Sequence, residues 1–196
     1  MGGTGCLNAD EPFSNISPPE PTFVSTCDGF EQVDTIQLGG QFTATATDGK
    51  RLYLADEDAI DVIEVETSEV VTIQPVGEVR DLLIANERLW IAAGSGGVLS
   101  WDPSRPDSAL QRWIGGANII SLTSNNGRIW AADSSGRVWV LPESATENTL
   151  PQSISVDGWP TELTPWATGV LVFGGSTPLQ GVAYDSDDNL EVTATD

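Results

Sequence analysis

Asp185, Asp187, Asn189 and Glu191 set oxygen donors at every second position of one short run. Hard cations such as calcium take about six to eight oxygens, several of them from a single loop. The run lacks the glycine and the distal glutamate of a helix-flanked calcium loop. Two readings stand: a calcium site at Asp185, Asp187 and Asn189, or a polar hairpin turn. No other cofactor is expected. Asp56, Glu57, Asp58 and Asp61 form a second acidic group. Paired carboxylates serve as acid and base in hydrolysis, but these have no partner in the sequence, and a solvated loop is expected. Gly94-Ser95-Gly96-Gly97 has the composition of a phosphate cradle, yet a strand pattern follows it, so no helix N-terminus can meet an anion. A tight turn is expected there. The chain has no histidine, which removes the commonest general base, the usual triads and most zinc sites. No catalytic residue is assigned.

The two cysteines, Cys6 and Cys27, both lie in the N-terminal segment. A bond between them would staple a loose arm by about 3 kcal/mol and would imply an oxidising compartment. The alternative is lipidation of Cys6, because Gly2-Gly3-Thr4-Gly5-Cys6 has the small-residues-then-cysteine form of a lipoprotein cleavage site. The apolar run that should precede it is absent. No stretch of 18 or more apolar residues occurs, so no membrane-spanning helix is expected.

Charge narrows the partners. There are 29 acidic and 8 basic residues in 196, a net of -21. Such a surface repels phosphate backbones and anionic lipid, which argues against nucleic acid and membrane. It is compatible with cationic partners, or it serves solubility or high salt.

Residues 1–29, with Pro12, Pro18, Pro19 and Pro21, read as an irregular arm. From residue 30 a repeat emerges. Its anchor is a turn followed by an apolar strand: DGKRLYLAD (48–56), NERLWIAAG (86–94), NGRIWAADS (126–134) and TGVLVFGGS (168–176). Aligning Arg51, Arg88, Arg128 and Val170 puts Leu52, Leu89, Ile129 and Leu171 at one buried position and Tyr53, Trp90, Trp130 and Val172 at the next. One strand-like run precedes each anchor and two follow it, bounded by Gly, Asn, Asp, Ser or Pro. The units span about 40–75, 76–115, 116–157 and 158–196.

Four antiparallel strands every forty residues or so describe the blade of a β-propeller. A lone four-stranded sheet cannot bury both faces; stacked blades bury both, which explains strands that are apolar nearly throughout. The fold class expected is all-β, with four propeller blades. The repeat resembles those of bacterial and archaeal cell-surface propellers of the LVIVD type, most clearly in VRDLLIANERLWIAAGSGGVLSWDPS (79–104). The resemblance implies a propeller fold and an extracytoplasmic location, and it carries no catalytic residue.

FEQVDTIQLGG (30–40) is similar to EVVTIQPVGEV (69–79), the outer strand and exit of the first unit. A spare outer strand implies a longer polypeptide or a protein partner that completes the ring, with a distinct partner favoured over a second copy by like-charge repulsion. Trp90, Trp101, Trp130 and Trp139 are expected in the inter-blade core. Trp113, Trp159 and Trp166 sit near strand ends and turns and are candidates for a binding surface. The recurring Arg51, Arg88 and Arg128 read as strand-entry residues paired with a nearby carboxylate such as Glu87. Three functional classes follow: a non-catalytic extracytoplasmic binding or scaffold module for protein–protein assembly, a structural subunit of a surface layer, filament or large complex, and a carboxylate-using propeller lyase or glycosidase. The first fits best.

Overall fold

Sixteen short strands, rich in β-branched and aromatic residues and punctuated by Gly, Asn and Asp turns, pair into four sheets. The computed structural model describes residues 41–174, 179–185 and 189–194. The first sheet holds β1 (Ala44–Thr47), β2 (Arg51–Ala55), β3 (Ile60–Glu64) and β4 (Val70–Ile73). The second holds β5 (Asp81–Ala85), β6 (Arg88–Ala92), β7 (Val98–Trp101) and β8 (Gln111–Ile114). β9 (Ile119–Asn125), β10 (Arg128–Asp133), β11 (Arg137–Pro142) and β12 (Gln152–Ser155) form the third. β13 (Glu162–Trp166), β14 (Gly169–Phe173), β15 (Gln180–Tyr184) and β16 (Leu190–Ala194) form the fourth. Every pairing is antiparallel and every sheet runs in sequence order. Each anchor strand lies within its expected segment, with one strand before it and two after it. Expectations for residues 1–40, including Cys6, Cys27 and the spare strand at 30–38, lie outside the described residues.

The first strands of successive sheets lie side by side, β1 by β5, β5 by β9 and β9 by β13. The sheets therefore stack as blades. Among the described residues three apolar cores lie between consecutive sheets. Tyr53 and Val62 meet Leu89, Ile91 and Trp101 in the first. Trp90, Ala92 and Val98 meet Ile129, Ala131 and Leu141 in the second. Trp130 and Val138 meet Leu163, Val170 and Val172 in the third. A strand alternates its side chains between two faces. Each inner blade thus offers one face to the blade before it and the other to the blade after it.

The fourth unit corrects the alignment made from sequence. In the second and third hairpins Arg88 pairs with Ala85 and Arg128 with Asn125, each across a two-residue turn. The residue in that place in the fourth is Gly169, paired with Trp166. Val170, fully buried, therefore takes the position of Leu89 and Ile129. Leu171 falls on the opposite face, at the position of Tyr53, Trp90 and Trp130, and is half-buried. The absent arginine hid the slip, and a one-residue slip exchanges the two faces of a strand. Leu52 does occupy the position expected for it, but it is half-buried.

Candidate functional site

Facing residues across the blade stack differ in one place. Tyr53, Trp90 and Trp130 occupy equivalent positions and are each 0% exposed; two residues on, so are Ala55, Ala92 and Ala132. In the fourth sheet these positions belong to Leu171, half-buried, and Phe173, 39% exposed. Trp166, 42% exposed, stands on the same face, its ring lying over Gly181. A side chain added at Gly181 would come within 2.9 Å of that ring. The fourth sheet thus buries Leu163, Val170, Val172 and Val182 against the third and turns outward a second face that carries Trp166, Leu171 and Phe173 beside Glu162.

A polar stitch marks the same boundary. In the second sheet Asp81, opposite Ala92, accepts the backbone N–H of Leu122 from the third sheet at 2.7 Å, and that of Leu82 at 2.8 Å. Ser121, opposite Ala132, is its counterpart in the third sheet and accepts the N–H of Leu163 from the fourth at 3.2 Å. The residue opposite Phe173 is Glu162, exposed on the outward face. Burial pushes the Asp81 carboxyl above its ordinary range, against the two amide donors, which favour its charge.

The three recurring arginines have three environments. Arg51 lies opposite Glu64 and pairs with it and with Asp48. Arg128 stacks its guanidinium over Tyr184, 3.9 Å from the ring centroid. Arg88 lies across from Asp102, since Leu89 pairs with Trp101. Asp102, however, accepts from the Ser104 hydroxyl at 2.6 Å and from Arg105 at 2.7 Å. Those bonds hold its carboxyl down to about 2. Arg88 is left with the side-chain oxygen of Gln111 at 3.4 Å. Glu87, the partner expected from sequence, sits in the hairpin turn, and the carboxylates that pair with Arg51 are those of Glu64 and Asp48.

The candidate tryptophans part company. Trp113 is half-buried against Trp90, with ring centroids 5.7 Å apart, and its indole N–H donates to Ser100 at 2.8 Å. Trp159 is 67% exposed at a turn, and Trp166 belongs to the outward face described above. Trp90, Trp101 and Trp130 are buried, while Trp139 is half-buried and donates to Asp133. Asp185 and Asn189 close a hairpin: the Asn189 amide donates to the Asp185 carboxylate at 2.8 Å, and its side-chain amide points at the same group. Asp187 lies outside the described residues. Among the described residues no three acidic, Cys or His side chains cluster to hold a metal. Asp56 caps its own turn through the N–H groups of Asp58 and Ala59, and Asp61 accepts from Thr72. Gly94–Gly97 is a tight turn, closed by Gly97 N–H to Gly94. A Cβ at Gly97 would lie 1.7 Å from the carbonyl oxygen of Ile114, so only glycine fits this approach.

Sequence reading missed Leu171, Phe173 and Glu162. The signal was the two-residue hairpin turn, which places Gly169 at the arginine position. No protein-family model and no curated protein matches the chain. Its fold is similar to that of solved propeller structures. The computationally designed Ika4 protein shares 17% identity at a TM-score of 0.58, over 86% of this chain and 99% of that one. U3-55K shares 15% at 0.61, over 78% and 53%. The Neurospora crassa Pan2 WD40 domain shares 9% at 0.57, over 74% and 47%. The chain thus spans all of the designed protein and about half the length of the other two. Identities this low speak for the fold, and the fold is a β-propeller one with four blades. Among the described residues no helix is long and apolar enough to cross a membrane.

Proposed function

We propose that this chain is a non-catalytic assembly module whose fourth blade receives a β-sheet from a distinct protein partner. The observation that carries this reading is Phe173, a large apolar side chain left exposed where the other three blades bury an alanine. Exposed apolar faces on sheets mark sites of association. Glu162 supports it, because it stands where Asp81 and Ser121 accept an amide from the following blade. The occupant differs from this chain's own blades. Within the chain the pattern is large then small, Trp90 then Ala92; on the outward face it is smaller then larger, Leu171 then Phe173. Interdigitation then demands a differently shaped partner. A net charge of -21 also sets copies against one another. The cell-surface resemblance of the repeat supports an extracytoplasmic setting for this assembly.

A photo-cross-linking residue placed at 173 in the protein's native cells is expected to capture one predominant partner, and Phe173→Asp is expected to abolish the complex. Light scattering of the purified chain is expected to give a monomer. A homodimer that survives Phe173→Asp, or cross-links confined to the chain itself, would overturn the reading.

A further inference from the structure

The cleft between the first and second blades, at their outer edge, has a volume of about 330 Å³. One wall is the face of the first sheet that packs on the second blade. Arg51 lies opposite Glu64, Tyr53 opposite Val62 and Val62 opposite Val71, so Arg51, Val62, Glu64 and Val71 share the face of Tyr53. Glu69 joins them. The Glu64 N–H donates to its carbonyl at 3.0 Å, one step along the ladder from the Ile63–Val70 pair. The other wall belongs to the second blade: Trp101, which packs in the core shared with Tyr53 and Val62, and then Pro103, Ser104 and Pro106. The walls are thus mainly apolar, and the charges among them are Arg51, Glu64 and Glu69.

We propose that this cleft receives the side chain of a lysine carried on an extended segment of a protein partner, with its ammonium on Glu69 and its stem along Val62 and Val71. The charge follows from an unanswered carboxylate. Glu64 and Glu69 stand opposite each other, an arrangement that like charges oppose. Arg51 bonds Glu64 and Asp48, whereas among the described residues the Glu69 carboxylate has neither hydrogen bond nor ion pair. One guanidinium against two carboxylates leaves the cleft negative in a chain of net charge -21, which favours a cation. The stem follows from the walls: Val71 is 49% exposed, and a lysine lays its methylenes on apolar surface while its ammonium stays in water. Lysine is favoured over arginine because Trp101, 4% exposed, offers no open ring face on which a guanidinium could stack. The carrier follows from β4, which among the described residues pairs only with β3 and leaves its other edge open to a strand from elsewhere. The cleft belongs to the first two blades, so this site does not rest on the role proposed for the fourth.

The direct readout is NMR of the valine methyl groups of the purified chain at moderate salt. The probes are the peptide acetyl-Gly-Val-Lys-Val-Gly-amide, its norleucine and arginine counterparts, and n-butylammonium. Saturable shifts at Val62 and Val71 are expected with the lysine peptide, and weaker binding with each of the other three. Glu69→Gln, on an exposed side chain at the end of a turn, is expected to weaken the lysine peptide about three- to tenfold and to leave the norleucine peptide unchanged. Glu66→Gln, equally exposed and outside the cleft, is expected to change neither. No saturable shift at either valine, a norleucine peptide that binds as tightly, or a lysine peptide indifferent to Glu69→Gln would overturn the site. An arginine peptide that binds as tightly would overturn the choice of lysine, and n-butylammonium binding as tightly would overturn the choice of a protein segment.

Discussion

The second and fourth blades are built alike and finished differently. Each is a four-stranded antiparallel sheet opening on a two-residue hairpin. The second is covered on both faces: Leu89, Ile91 and Leu99 against the first blade, Trp90, Ala92 and Val98 against the third. Among the described residues the fourth is covered on one, through Val170, Val172 and Val182. In a repeat stack, each blade's stability is largely the sum of its own sheet and its neighbour interfaces. The difference teaches where the chain's energy lies: in blades that have a neighbour on each face.

The largest effect that separates the two blades is truncation at the outward and inward positions of the anchor strand. Leu89→Ala is expected to cost about 2–5 kcal/mol, because the side chain is fully buried between two blades. Val170, its true counterpart, is buried as well and is expected to behave in kind with a smaller loss for its smaller size. Leu171→Ala, on the outward face, is expected to cost about 1 kcal/mol or less in the isolated chain. Urea unfolding measures all three. A Leu171→Ala cost equal to that of Leu89→Ala would mean that the fourth blade is covered as fully as the second, and the comparison would fail.

Next in size is the polar stitch. Asp81→Ala leaves the Leu122 amide without its acceptor at a blade junction and is expected to cost about 1–3 kcal/mol. Glu162→Ala, the matching change on the fourth blade, is expected to fall within about 0.5 kcal/mol. Asp81→Ser imports the acceptor that Ser121 supplies one blade later and is expected to recover part of the loss. The same residue gives a pH signature. Its folded-state value is raised above 3.8 by burial, so the folded protein holds this proton more tightly than the unfolded chain does. Its contribution is therefore fully present below the unfolded value and is lost as pH rises through the folded one. The wild-type minus Asp81→Ser stability difference is expected to decline with rising pH across that window. A rising difference would place the hydrogen bonds, not desolvation, in control of Asp81.

Most of the blade architecture was legible in the sequence, because strand runs and turn residues are local signals that each repeat states again. Register in the fourth blade was not. The arginine that marks the hairpin exit is replaced by Gly169, and a pattern anchored on side chains slid by one. That single step moved Leu171 to the wrong face and concealed Phe173, the residue on which the proposed function rests. The arginines show a different limit. Their recurrence was plain, but the partner of each is set across strands and blades: Glu64 opposite Arg51, Tyr184 beneath Arg128, and an Asp102 drawn away from Arg88 by Ser104 and Arg105. Residues brought together from different strands leave no spacing to read. The tryptophans divided for the same reason, since Trp113 is half-buried against Trp90, a neighbour that only the third dimension supplies.

The smallest effect tests whether the two blades differ in anything except their covering. Their first hairpins both hold non-glycine residues in the left-handed region: Asn86 and Glu87 in the second, at φ of 48° and 59°, and Ala167 in the fourth, at 47°. The third blade solves the same turn with Asn126 and Gly127. A residue with a Cβ loses about 1–2 kcal/mol in this conformation, and glycine gives back about half of that through the greater freedom of the unfolded chain. Glu87→Gly and Ala167→Gly are each expected to raise stability by about 0.5–1 kcal/mol, and by similar amounts, because the strain is local and owes nothing to the neighbouring blade. Asn125 donates from the third blade to the carbonyl of Ala167 at 3.1 Å, a backbone acceptor that the substitution keeps. Thermal melts of the two variants beside wild type check both values. If Glu87→Gly gains and Ala167→Gly loses, the fourth hairpin is held in place by its contact with the third blade, and the terminal blade depends on its one neighbour more than its own backbone geometry implies.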